Sequence, residues 1–563
     1  MSVTHQTAGR LAAALASPLG IIAAVTLWRV LAAWLTPVAQ DEAYYYDWAR
    51  ALAWGYFDHP PGVALLGLGA QLDPGSPLAA RLGTLLVSTL TLLALWRLYH
   101  ACGIRRQLLS LSLLLAAATF PGLASGVLTT PDTVLALFWI VALHQALAAL
   151  PRADGVQRWR WLGAGAATGL GLLGKYTMVI IGPVFLIALL AVDRRALRTP
   201  WPYLGGLLAL LLFLPNLIWN AQHDWLTLRF QFGHGFMTDT GALSLPVDAL
   251  LGADAPRAGE HANAEALEAG EQLTGVGSFI LVQLLFWGVP LLVALAAPFT
   301  GDRWRRSFAE LRDGLSMPAR VLLAAAALVP LVLFGVIAAR GSVEANWAAL
   351  HIVGAAPLVA AAVRPLARWA VGAALVNVLL LSLYAAHAAT AALPLPHKAD
   401  RVLRETNGYP ALAAHVAAMQ PERLFADRYQ TVAMLNFYGA GAPVSQWPGL
   451  TRPSEYGLGT IVPIPDRDAL RATGFTLVVW KYAVPQIPGF HEVQVETLFD
   501  CRGLPLHVVP GIAWPDASPC GDDWLHVWRV FRYEAGPAPA ASTEAAGAAG
   551  AQLPRRAVET GHA

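Results

Sequence analysis

Apolar residues recur in long runs from Leu11 to Thr390, and the polar positions between them fall in short clusters rather than at the two-residue period of a strand. A helix needs about 20 predominantly apolar residues to cross a bilayer. On that measure the pattern predicts eleven spans, over 18–38, 78–100, 106–124, 130–150, 161–174, 176–192, 202–219, 278–298, 320–339, 347–363 and 368–390. The first run has no small-residue cleavage site before Asp41, so it is expected to stay as an anchor. The stretch 161–192 is long for one crossing and short for two, which fits a tilted or re-entrant hairpin turning near Gly174, Lys175 and Tyr176.

Beyond residue 391 the pattern changes. Short β-rich runs (Thr476 to Trp480, Glu492 to Leu498, Leu525 to Tyr533) alternate with helical stretches (Pro410 to Met419, Tyr429 to Tyr438), the mark of a small α/β unit. The chain is thus expected to hold a membrane domain over 1–392, whose first outer loop is 39–77, and an α/β domain over 393–534. An acidic, Ala-rich insert at about 252–274 and the Ala/Pro-rich tail 535–563 read as disordered.

Composition supports the membrane reading: 56% of the 563 residues are hydrophobic and only 13% charged, against roughly 25% charged in soluble domains. The formal net charge of +2 offers no basic field to nucleic acid. Arginine placement orients the chain, because cytoplasmic loops are enriched in Lys and Arg. With the N-terminus inside, Arg10, Arg105, Arg106, Arg152, Arg158, Arg160, Arg194, Arg195, Arg198, Arg303, Arg305, Arg306, Arg312, Arg364 and Arg368 all fall on inner loops. The outer segments hold Arg50, Arg229, Arg257 and Arg340. An odd number of spans then delivers the α/β domain to the periplasmic side of a bacterial inner membrane. Of the three cysteines, none at zinc or redox spacing, Cys501 and Cys520 fall in that domain, where they form either a disulfide or two free thiols.

Candidate chemistry gathers at the outer span ends. The first loop reads Gln40-Asp41-Glu42-Ala43-Tyr44-Tyr45-Tyr46-Asp47-Trp48 and then Gly55-Tyr56-Phe57-Asp58-His59-Pro60-Pro61. Carboxylates beside aromatic groups tend to hold protons tightly, which suits a general base; the same composition also suits an interfacial helix with solvated acids. Lys175 is either a cation snorkelling to the headgroups or a phosphate ligand within the bundle. Asp132 follows Thr129, Thr130 and Pro131, so it is either a helix N-terminal acid or a member of a site. Asp58, His223 and Asp224 offer a His-plus-carboxylate set for a divalent metal ion, against a surface His beside a Trp.

The order of residues in that loop resembles glycosyltransferase family 39 and its bacterial relatives, polyprenyl-phosphate-sugar-dependent transferases of the GT-C superfamily. Further matches follow along the chain: Thr130-Pro131-Asp132, Gly171-Leu172-Leu173-Gly174-Lys175-Tyr176, Trp219-Asn220-Ala221-Gln222-His223-Asp224-Trp225, Glu344-Ala345-Asn346-Trp347, and Asp427-Arg428-Tyr429-Gln430 leading into Leu435-Asn436-Phe437-Tyr438. The likeness covers about 40–450. It implies an α-helical polytopic GT-C fold of about 11 to 13 transmembrane helices with a C-terminal α/β periplasmic domain. The activity it implies is transfer of a sugar from a polyprenyl-phosphate donor to a lipid A, other glycan, lipid or protein acceptor.

The likeness also implies roles for residues. Asp41 matches the family's catalytic acid, with Glu42 beside it, and Asp132 the second acidic position. A lipid-phosphate donor in turn makes Asp58, His59, Lys175, Tyr176, Arg229 and Arg340, near the outer face on the topology above, candidates for the donor phosphate and substrate, while Asp58 and His223 stay candidates for a metal ion on their residue types. At Asp58-His59-Pro60-Pro61 the chain departs from the Glu-Lys-Pro-Pro of the lipid A aminoarabinose transferases, which argues against copying that sugar. A transporter or flippase of a lipid-linked sugar is the competing reading, but it would place polar residues at the midplane and show repeat symmetry, neither of which is visible.

Overall fold

The computed structural model describes residues 16–151, 155–236, 245–250, 273–396, 399–480, 485–502, 505–515, 517–521 and 523–536. The insert at 252–274 lies outside these, apart from Leu273 and Thr274, which pair antiparallel with Val343 and Ser342. So does the tail beyond Gly536.

Each apolar run is helical over most of its length. In order come α1 (Pro18–Leu35), α2 (Gln40–Trp48, in the first loop), α3 (Leu82–Ala101), α4 (Arg106–Ala117), α5 (Pro131–Ala149), α6 (Arg160–Leu172), α7 (Ile181–Val192) and α8 (Trp201–Gln222). They are followed by α9 (Leu226–Phe236), α10 (Val276–Leu285), α11 (Val289–Ala296), α12 (Asp302–Gly314), α13 (Met317–Ala338), α14 (His351–Val363) and α15 (Ala367–Thr390). Helix starts follow local chemistry: Ser17 accepts from the Gly20 N–H with Pro18 in the first turn, and Pro131 opens α5.

Among the described residues six helical stretches are long and apolar enough to cross a membrane: α1, α3, α5, α8, α13 and the continuous 351–390. A seventh forms if α10 and the following helix, which meet at 94°, count as one. The expectation of eleven to thirteen spans reaches beyond these, because α4, α6 and α7 are only 12 to 13 residues long, about 18 to 20 Å at 1.5 Å per residue.

Glycine governs how the hairpin 160–192 packs. A Cβ on Gly165 would lie 1.9 Å from the Gly205 carbonyl oxygen, so the backbones of α6 and α8 approach as closely as they do because both positions lack side chains. The hairpin turns at Leu173–Lys175, and the first loop rests on that turn: the Gly62 N–H donates to the Leu173 carbonyl at 2.7 Å. A Cβ at Gly62 would meet Gly174 Cα at 2.9 Å.

From residue 401 the chain builds α16 (Arg401–Thr406), α17 (Tyr409–Ala418), β1 (Leu424–Ala426), α18 (Tyr429–Tyr438), β2 (Val444–Gln446), α19 (Arg467–Thr473), β3 (Phe475–Trp480), β4 (Phe490–Asp500), β5 (His507–Pro510) and β6 (His526–Ala535). The six strands lie in the order β2-β1-β3-β6-β4-β5. β1 pairs in parallel with β2 and β3, and the remaining pairs are antiparallel. Cys501 and Cys520 form a disulfide at one end of the sheet. The core of this unit is shared with the first loop: Tyr44, Tyr46, Trp48 and Tyr56 pack in one cluster with Tyr409, Leu412, Val432 and Tyr456. That shared core fixes α2 between the bundle and the sheet.

Candidate active site

Four acids fall between residues 41 and 58, and the fold treats them differently. Glu42 is almost fully buried and its carboxylate accepts from Arg81 Nε at 2.9 Å, Arg81 Nη2 at 2.5 Å, the Thr129 N–H at 2.8 Å, the Tyr46 hydroxyl and the Ala39 N–H. Arg81 completes the knot by donating to the carbonyls of Ala33, Thr36 and Pro37, which satisfies the end of α1. Glu42 is therefore a structural anchor with its lone pairs used. Asp47 is held in the same way by Arg50, Asn436 and Tyr456. Asp58 accepts from the Tyr44 hydroxyl at 2.8 Å and pairs with Arg452 at 3.0 Å.

Asp41 alone of the four is solvent-accessible. Its Oδ1 accepts from the Tyr429 hydroxyl at 3.0 Å. The surrounding protein limits its solvation and pushes its carboxyl up to about 6, with Glu405 adding to the push and Tyr429 opposing it. Tyr429 also lies under the Arg452 guanidinium, 4.2 Å from ring centroid to Cζ, and beside Tyr44 at 4.7 Å. Asp41, Tyr429, Arg452 and Asp58 thus form one connected group drawn from α2, α18 and two loops.

A second group is built from three distant motifs. Lys175 Nζ donates to both oxygens of Asp132 at 2.9 Å, and Asn346 Nδ2 donates to Asp132 Oδ2 at 2.7 Å. Lys175 is buried, so its cation is matched by one carboxylate rather than spread into solvent. Tyr176, next in sequence, donates to Asn216 and accepts from Asn220 on α8. Tyr45 links the two groups: burial, then the fields of Asp41, Asp58 and Asp132, hold its hydroxyl well above the ordinary tyrosine range.

The other expected site residues fall in different surroundings, with the His59 ring 6.1 Å from that of Tyr45. Arg229 and Arg340 are exposed on α9 and after α13. His59 is half-buried, its Nδ1 3.4 Å from Gln231 Nε2. Of the two residues expected at a metal ion, Asp58 pairs with Arg452 and accepts from the Tyr44 hydroxyl. The His223 ring stacks on Trp219 with centroids 4.0 Å apart, its Nδ1 at 2.8 Å from the Trp219 carbonyl. Among the described residues no group of three or more His, Cys, Asp or Glu is placed to hold a metal ion.

Three residues were missed by sequence reasoning. Arg81 lies inside the apolar run 78–100 and reads as part of that span. Arg452 and Glu455 lie in a Pro-rich loop after the last matched motif. Glu455 is fully buried, accepts from the Phe57 N–H and the Thr460 hydroxyl at 2.7 Å each, and is pushed by burial up to about 8. The Tyr44 hydroxyl in turn accepts from the Glu455 N–H. The local sequence around them, Trp447-Pro448-Gly449-Leu450-Thr451-Arg452-Pro453-Ser454-Glu455-Tyr456, follows neither a helical nor a strand period and so carries no signal for either residue.

A bundle of apolar helices with converging acids at one end, closed by an α/β unit, defines a polytopic membrane protein of the GT-C fold. Two solved structures share it: ArnT from Cupriavidus metallidurans bound to undecaprenyl phosphate (TM-score 0.55, 16% identity, 88% of this chain and 98% of that one) and the same protein in the apo state (TM-score 0.52, 16% identity, 82% and 93%). Residues 58–219 match the family model described as dolichyl-phosphate-mannose-protein mannosyltransferase. A lipid A galacturonosyltransferase, RgtD, of Rhizobium johnstonii is 29% identical over 223 residues, 38% of this chain. The chain spans 45% of that relative's length. The resemblance to family 39 and its bacterial lipid-linked-sugar relatives therefore holds in sequence and in fold. The family-matched stretch begins at Asp58 and leaves out Asp41, Tyr429 and Arg452.

Proposed function

We propose that this protein is a membrane glycosyltransferase that moves a sugar from a polyprenyl-phosphate-sugar donor to a lipid A, other envelope glycan, lipid or protein acceptor at the periplasmic face. The observation that carries the reading is the sorting of the first-loop acids: Glu42, Asp47 and Asp58 are consumed by partners, and Asp41 stays accessible with a raised proton affinity.

In this reading Asp41 takes the proton of the acceptor hydroxyl or amine as that atom bonds to the anomeric carbon. The bond from that carbon to the phosphate oxygen breaks on the opposite face, and polyprenyl phosphate leaves with the electron pair, inverting the centre. Arg452 and Lys175 supply positive charge where the leaving phosphate gains negative charge. Each is already steadied by one carboxylate, Asp58 or Asp132. The names of the relatives support a lipid-linked donor and an envelope acceptor. In the same reading the arginine distribution along the sequence supports a cytoplasmic N-terminus, a bacterial inner-membrane location and a periplasmic position for residues 393–534.

The test is release of polyprenyl phosphate by the purified protein given a polyprenyl-phosphate sugar and envelope extract as acceptor. Asp41→Asn is expected to stop release while keeping the thermal unfolding profile of the wild type. Full turnover in Asp41→Asn removes that residue from the role. Mass spectrometry of envelope glycans from a deletion strain identifies the sugar and acceptor.

A further inference from the structure

A groove of about 590 Å³ opens between α12, α13 and α14. It lies at the end of the bundle away from Asp41. Arg320, on its rim, sits in the first turn of α13, whereas Asn346, which holds Asp132, follows the far end of that 22-residue helix; such a helix is about 33 Å long.

Along α12 the residues Trp304, Phe308 and Leu311, with Leu315 just after it, repeat at helical spacing and turn an apolar stripe into the groove. Leu323 and Leu358 supply the opposite walls. Arg305 and Arg312, seven residues apart on one helix face, and Arg320 on α13 add three cations to a lining that contains no acid. Arg312 also meets Asp313 at 2.9 Å, a pair in which both side chains are largely exposed, so water competes for it and it holds Arg312 weakly. The Trp304 indole nitrogen is buried without an acceptor among the described residues, so its apolar body carries one donor left for a ligand.

We propose that this groove binds one anionic phospholipid, its acyl chains along the apolar walls and its phosphate on Arg305, Arg312 and Arg320. Charge complementarity requires an anion. Apolar walls of this extent require a hydrocarbon portion, which inorganic phosphate lacks. The guanidinium fork suits a phosphate headgroup, and three such groups suit a net negative one over a zwitterion. The site is independent of the proposed transfer reaction.

Native mass spectrometry tests it. Detergent-purified full-length protein is titrated in parallel with phosphatidylglycerol, phosphatidylcholine of the same acyl chains, and inorganic phosphate. Expected is one phosphatidylglycerol retained roughly tenfold or more tightly than phosphatidylcholine, with no phosphate adduct. The triple variant R305Q/R312Q/R320Q should lose that preference. Ala324→Trp, which fills the groove and leaves the arginines in place, should lose retention of both lipids. Unchanged phosphatidylglycerol binding in the triple variant or in Ala324→Trp overturns the proposal, as does equal retention of the two lipids or binding of phosphate alone by the wild type. Thermal unfolding of each variant confirms that a lost adduct is not a lost fold.

Discussion

The Tyr429 hydroxyl donates to Asp41 Oδ1 at 3.0 Å across 388 residues of sequence. The bond favours the ionised carboxylate, whereas Glu405 and the surrounding protein favour the protonated one. With the carboxyl at about 6, transfer should rise with pH through that value. Tyr429→Phe should move the acid limb of the kcat/KM profile to higher pH and Glu405→Gln should move it to lower pH. A shared direction for the two variants would show that neither acts through Asp41.

Loss of the base itself is larger. General-base groups contribute about 10² to 10⁴ in rate, so Asp41→Asn should cost at least the lower figure in kcat. Glu42→Gln should act through folding instead, lowering yield and the unfolding temperature. Leaving one member of a buried ion pair unpaired costs about 3–5 kcal/mol, and Arg81→Ala would strand Glu42 in that way. Thermal unfolding in detergent compares the variants.

Lys175 and Asp132 should behave as one unit. If the lysine works from within the pair, the kcat losses in Lys175→Met and Asp132→Asn should not add in the double variant, whose loss should stay near that of the worse single one. Additive losses would mean that the two act separately.

Glu455 makes stability depend on pH. Inside the fold it keeps its proton up to about 8, whereas the unfolded chain releases it near the ordinary 4.5. Between those values the folded form binds more protons, so stability falls as pH rises through the window and levels off above it. Glu455→Gln should flatten that part of the unfolding-temperature profile while keeping an acceptor for the Phe57 N–H.

The Cys501–Cys520 disulfide closes a loop with a sequence separation of 19, which by chain entropy contributes about 3 kcal/mol. Cys501→Ser with Cys520→Ser should lower the unfolding temperature. A reductant should do the same to the wild type and leave the double variant unmoved.

The apolar helices were legible because hydropathy is a local signal, and each apolar run is helical over most of its length. The number of crossings was less legible: a run such as 106–124 reads as one span, yet its main helix stops at Ala117 and a short turn follows at Phe120. Within the site, residue types were visible but their pairing was not. Lys175 reads as a free cation because nothing local shows that Asp132, 43 residues earlier, meets it, or that Asn346 holds the other side of that carboxylate. Glu42 and Asp41 look equivalent side by side, and only the helical turn of α2 sends one inward to Arg81 and the other outward to Tyr429 and solvent. Arg81 was hidden by its apolar neighbours. Arg452 was hidden by the absence of any period in its loop.

The shared core of the first loop and the α/β unit also sets an order of assembly. Asp41 is made early, but its partner Tyr429 and the Asp58 partner Arg452 are made only after the last apolar helix. A ribosome that has released everything up to residue 400 has therefore produced a membrane-inserted chain with Tyr44, Tyr46 and Trp48 still uncovered. The nascent chain is a waiting surface, and truncations ending before residue 429 should be recognised by quality-control proteases through those exposed rings rather than through any defect in the membrane bundle.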